Sequence, residues 1–109
     1  MALSPRVQSY VLTGNATPQL LDDLIPGSDK VIWVELTAYK TNATPIYHAG
    51  RFVDGSALSA TNYGGFIPAP TAGVPVAPYK IRAHNGSLGN WQVLIATGEK
   101  LCLTALLAI

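Results

Sequence analysis

Charge is what this sequence has least of. Asp, Glu, Lys and Arg make up 12% of its 109 residues, about half the roughly 25% usual for soluble domains. The formal net charge is +1. A nucleic-acid-binding face needs clustered Lys and Arg to neutralise phosphates. Here the seven basic residues are scattered, with Lys80 and Arg82 the only close pair, so that class is set aside. Cysteine is nearly absent: Cys102 stands alone, which excludes an internal disulfide, and with only His48 and His84 beside it no structural zinc set is expected. Long apolar runs are missing too. The most apolar stretch, 101–109, falls well short of the roughly 20 residues a membrane-spanning helix needs. Residues 1–5 carry no basic-then-apolar secretory pattern. The Asn-X-Ser/Thr triplets at Asn15, Asn42 and Asn85 therefore read as turns rather than glycan sites.

What is present is apolar and β-rich. Residues of the AVILMFWYC set make up 49% of the chain, and 109 residues suit one domain, 1–109, with its own core. A surface this poor in charge is expected to be covered, in large part, by copies of itself or by a partner. Arg6–Leu12 alternates Val7, Ser9, Val11 against Gln8, Tyr10, Leu12, as a strand does. Thr17 followed by Pro18 predicts a short helical turn to Leu24, with Thr17 as its N-cap. Val31–Ala38 reads as a strand whose Ile32, Val34, Leu36 and Ala38 form an apolar face opposite Val31, Trp33, Glu35 and Thr37. Ile46–Val53 is a further strand, bent near Gly50. Tyr79–Ala83, Trp91–Thr97 and Lys100–Ile109 follow, the last two joined at Gly98-Glu99, and Asn85-Gly86 marks a hairpin. Leu101, Leu103, Ala105, Leu107 and Ile109 share a face, which predicts that the last strand is central.

Between Asp54 and Pro78 the texture changes, with four prolines, four glycines and little charge. Proline supplies no ladder N–H, so a central strand is not expected in 54–78. Long loops of this kind usually carry function or lie against a partner. An extended, ordered segment pinned by Tyr63, Phe66 and Ile67 is predicted. The whole pattern predicts an all-β fold: a β-sandwich or jelly-roll-like barrel of six to eight short strands, one helical turn and one long Pro/Gly-rich loop.

A search for chemistry finds none. Gly86-Ser87 lies in a hairpin without the spacing of a nucleophile elbow. His48, Asp54 and Ser56 make a nominal nucleophile set with no supporting motif. Asp22-Asp23 reads as solvent-facing carboxylates near a helix start, and Cys102 as a small buried hydrophobe between Leu101 and Leu103. Gly64-Gly65 lacks the Lys-Ser/Thr of a phosphate loop. No enzyme activity, cofactor, metal or small-molecule substrate is expected. Trp33 and Trp91 are candidates for stacking on a sugar, against the plainer reading that they pack on the core or at an interface.

Several stretches carry a family texture. Thr17-Pro18-Gln19 with Leu21 opens onto the Lys30-Val31 strand. Ala38, Asn42 and Pro45-Ile46-Tyr47 form a spaced hairpin pattern, and Ala60-Thr61-Asn62-Tyr63-Gly64 and Pro75, Ala77-Pro78-Tyr79 follow. Over about four-fifths of its length the chain resembles the short β-rich virion proteins encoded among the structural genes of tailed bacteriophages, some of which are head decoration (cement) proteins with jelly-roll or related sandwich folds. The resemblance implies a protein made in the host bacterial cytoplasm and located on the capsid surface. Its partners would be the major capsid protein and copies of itself, as a dimer or trimer, with no nucleic acid or membrane. On that reading Tyr63, Phe66, Ile67, Pro68, Pro70, Val74 and Pro75 contact the neighbour, and residues 1–5 are a second candidate arm. The alternative is a receptor- or carbohydrate-binding module of a tail or fibre, using Trp33 or Trp91.

Overall fold

The computed structural model describes residues 6–25, 30–50, 57–71, 74, 77–83 and 87–108. Eight strands and one helical turn follow in order: β1 (Arg6–Thr13), β2 (Gln19–Leu20), α1 (Leu21–Leu24), β3 (Val31–Ala38), β4 (Ile46–Ala49), β5 (Gly65–Ile67), β6 (Tyr79–Arg82), β7 (Gln92–Leu94) and β8 (Lys100–Leu107). They form two four-stranded antiparallel sheets, ordered β1-β8-β3-β6 and β2-β7-β4-β5. First pairs with last, second with seventh, third with sixth and fourth with fifth. That nesting is an eight-stranded antiparallel ribbon rolled up on itself, the jelly-roll form of the β-sandwich.

One core joins the sheets. Val34, Leu36, Leu101, Leu103, Ala105 and Leu107 of the first face Ile46, Ile67 and Val93 of the second, with Leu21, Ile25, Leu88 and Ile95 closing the ends. β8 lies between β1 and β3, and its burial alternates residue by residue, as its period-two pattern predicts.

Four expectations need correction. In β3 the register slips between Val31 and Trp33; this irregularity turns Val31 into the core and leaves Ile32 38% exposed, so the inward face is Val31, Val34, Leu36 and Ala38. The helical turn starts at Leu21 rather than Pro18, and its N-cap is Leu20 with no side-chain bond. Gln19 and Leu20 pair with Val93 and Gln92 as β2 instead, while the Thr17 hydroxyl donates to Asn15 Oδ1 at 2.7 Å. Cys102 is half-buried on the outer face of the first sheet, between Val11 and Thr37, because alternation sends it opposite to Leu101 and Leu103. The expectation that 54–78 holds no central strand agrees with β5, which lies in that segment and pairs with β4 alone. β5 is an edge strand, where the following Pro68 costs no ladder bond. β4 and β7 are also shorter than the expected 46–53 and 91–97. The Asn85-Gly86 hairpin and residues 51–53 lie outside the described residues.

Candidate docking face

The outer face of the second sheet carries a row of apolar side chains in register: Leu94 of β7, Tyr47 of β4 and Phe66 of β5. Alternation puts them there, since their neighbours Val93, Ile46 and Ile67 point into the core. Tyr63 folds back over the row. Its ring lies 4.7 Å from that of Tyr47 and meets Phe66 edge-on at 6.0 Å and 85°, within the favoured range for aromatic pairs. Phe66 is 50% and Tyr63 39% exposed. Beside them lies an apolar hollow of about 300 Å³ bounded by Ala16, Pro45, Tyr47, Ala60, Leu94 and Ala96 with Thr44 at its rim.

The loop presenting Tyr63 is held from both sides. Ser59 and Asn62 exchange backbone bonds at 2.9 and 3.2 Å, and Gly64 N–H donates to His48 C=O at 3.0 Å. Gly65 has a steric reason to be glycine: a Cβ there would stand 2.7 Å from His48 Cε1. Gly65 thus makes room for an imidazole.

That imidazole lies on the inner side of the sheet. His48 is buried, 4.3 Å from the ring of Tyr79 and 5.7 Å from that of Trp91. Among the described residues His48 Nδ1 and Trp91 Nε1 have no hydrogen-bond partner. Burial pulls the His48 pKa below its ordinary value by disfavouring the imidazolium. Asp54 and Ser56, the other members of the nominal nucleophile set, lie outside the described residues.

The residues expected at a neighbour's surface fall into three places. Tyr63 and Phe66 belong to the aromatic row. Pro68, Pro70 and Val74 line a separate cleft of about 440 Å³ against Thr37, Tyr39 and Cys102. Ile67 is a core residue, 2% exposed, so it anchors the segment from inside and offers no surface. Pro75 and residues 1–5 lie outside the described residues. Trp33 sits on the outer face of the first sheet with Lys80 Nζ 4.6 Å over its ring, and Trp91 packs against the core and Tyr79. Both tryptophans are half-buried; among the described residues the exposed aromatic rings are Tyr63, Phe66 and Tyr79. Sequence reading missed Tyr47 and Leu94, although position 47, between buried Ile46 and His48, is an outward site by alternation alone.

Asp22, read as a free carboxylate, accepts from Leu88 N–H at 3.1 Å and Ser87 Oγ at 3.2 Å; it ties α1 to the segment before β7. Among the described residues no group of three His, Cys, Asp or Glu side chains could hold a metal ion, and no helix is long and apolar enough to cross a membrane. Compared with protein-family models, with curated proteins and with solved structures, the chain matches none.

Proposed function

We propose that this protein is a structural component of a tailed-phage virion, a decoration protein that docks on the outside of the head and reinforces contacts between major capsid subunits. The observation carrying this reading is the aromatic row of Tyr47, Tyr63 and Phe66 beside an apolar hollow, on a domain with 12% charged residues. Contiguous apolar surface of this kind marks sites of association rather than of solvation, and aromatic side chains are the usual anchors of protein interfaces. The jelly-roll fold is compatible with the role and does not by itself argue for it. On this reading the function is mechanical: each docked copy adds buried area where shell subunits meet, with about 1,600 Å² sufficing for specific attachment.

The test is occupancy on purified heads. Wild-type protein added to heads lacking it should bind in many copies at one repeated position. Changing both Tyr63 and Phe66 to Ser should abolish binding while leaving the circular dichroism spectrum intact. Full occupancy by the double variant would refute the assignment of this face.

One observation favours a second reading. Exposed Tyr and Phe rings beside a hollow also suit stacking on a sugar, as a receptor-binding module of a tail or fibre would require. A glycan-array signal lost in the same double variant, together with a low copy number per particle, would select it.

A further inference from the structure

We propose that β1 is the seam of a homodimer, in which two copies pair their β1 strands antiparallel about a twofold axis at Ser9. This deepens the self-association expected of the chain and holds whether or not a viral shell is the other partner.

The backbone of β1 is half used. Gly14 N–H donates to Glu99 C=O at 2.8 Å, one step beyond the β1–β8 ladder. Bonded and non-bonded pairs alternate along an antiparallel ladder, so Gln8, Tyr10 and Leu12 are the residues whose backbone groups face β8. The other side of β8 agrees. Tyr39 N–H donates to Lys100 C=O at 3.1 Å, which assigns the even-numbered residues of β8 to β3 and leaves the odd-numbered ones for β1. The N–H and C=O groups of Val7, Ser9 and Val11 therefore point out of the sheet, and among the described residues no strand lies on that side.

The other three edges are blunted as natural monomers blunt them, by shortness, proline or positive charge. β2 has two residues and follows Pro18. β5 has three and runs into Pro68. β6 has four, of which Lys80 and Arg82 are basic. β1 has eight residues, no proline, no bulge, and a single charge at its first position, Arg6. On its outer face Val7 and Val11 are 60% and 55% exposed.

The occupant is a second copy because the strand is self-complementary. An axis at Ser9 sets Val7 opposite Val11 of the second copy on the outer face and Gln8 opposite Tyr10 on the inner face. The outward groups of residues 7, 9 and 11 then make about six inter-chain hydrogen bonds. A slip of one residue would oppose inward to outward side chains. A slip of two would part the valines. The two Arg6 side chains end up about 20 Å apart along the seam, so they do not repel. The apolar row Trp33–Leu106–Val7 continues into Val11 and Cys102 of the second copy across an eight-stranded sheet.

Light scattering on the purified full-length chain should give the mass of a dimer. Val11→Lys places a charge in the seam and should give a monomer with an unchanged circular dichroism spectrum. Ser9→Cys, in a Cys102→Ala background, should cross-link on mild oxidation, because bonded antiparallel residues lie about 5.5 Å apart, within disulfide reach. Thr13→Cys in the same background should not. A wild-type monomer, a trimer, or a dimer that survives Val11→Lys and does not cross-link through Ser9→Cys would overturn the proposal. A dimer that binds no head leaves the seam standing and removes the proposed function; a head-bound monomer does the reverse.

Discussion

The side-chain amide of Asn42 closes both backbone groups of Lys100: Nδ2 donates to the carbonyl at 2.6 Å and Oδ1 accepts from the N–H at 2.9 Å. Asn42 is 6% exposed, and its amide acts as one extra rung where β8 begins. Its neighbour in the clamp is Glu99, whose Oε1 accepts from Ala43 N–H, Thr44 N–H and Thr44 Oγ1 at 2.7, 2.8 and 2.9 Å. Two consecutive residues thereby fix the β3–β4 connection to the start of the central strand.

Asn42→Ala should lower unfolding free energy by about 1–3 kcal/mol, since it leaves the part-buried Lys100 N–H without its acceptor, while the carbonyl keeps Tyr39 N–H. Asn42→Asp should be no milder, because a carboxylate cannot donate to the carbonyl. Urea denaturation with an unchanged m-value is the measurement.

Acid should destabilise the protein in two separate windows. The folded pKa of His48 is depressed by burial, so the unfolded chain binds the proton more readily. Stability is full above 6.5, the ordinary value, and falls as pH drops below it. Glu99 is held below its ordinary 4.5 by the backbone bond from Ala43 and those from Thr44. Its contribution is present above that value and is lost as pH falls through the lower folded value. Denaturation midpoints measured across pH should lose the first slope in His48→Phe and the second in Glu99→Gln.

Gly14 should be intolerant of any side chain. A Cβ there would lie 2.5 Å from both the Ala96 carbonyl oxygen and Ile95 Cγ2. Backbone must move, at a cost on the order of 1–3 kcal/mol. At Gly50 nothing among the described residues stands within 4 Å of the same atom, and Gly50→Ala should stay within about 0.5 kcal/mol of wild type. Thermal melts of the pair decide it.

Adjacent residues of β5 should separate folding from docking. Ile67→Ala removes a core side chain and should cost about 2–5 kcal/mol. Phe66→Ala, on the open face opposite Tyr47, should cost no more than about 1 kcal/mol of its cross-strand pair while removing head binding. Equal destabilisation by the two would contradict the placement of the docking face.

How much of this was legible in the sequence differs by element. β8 could be read because period-two alternation runs through all eight residues, and β1 and β3 because it holds over the second half of each. β2 and β5 could not: two or three residues carry no period, and both exist only because Gln92-Val93 and Tyr47 stand ready to pair with them. The exposure of Ile32 was hidden for a related reason, since a register slip is a property of the pairing with β8 and leaves no mark in β3 itself. At the docking face, Tyr63 and Phe66 were identified from a loop rich in proline and glycine. Tyr47 escaped notice because a tyrosine inside a strand looks like core until its neighbours are known to point inward.

In the first sheet no strand bonds to one adjacent in sequence: β1 awaits β8, β3 awaits β6 and β8, and Arg6 finally meets Leu107. Among the described strands only β4 with β5, in the second sheet, offers a local start. While the ribosome is still extending the chain, the apolar faces of β1 and β3 therefore stay open until β8 has emerged. Closure of long loops before any reward makes such topologies slow to fold and prone to aggregate meanwhile. Yields of folded protein should accordingly rise when synthesis is slowed by cooling the expressing cells.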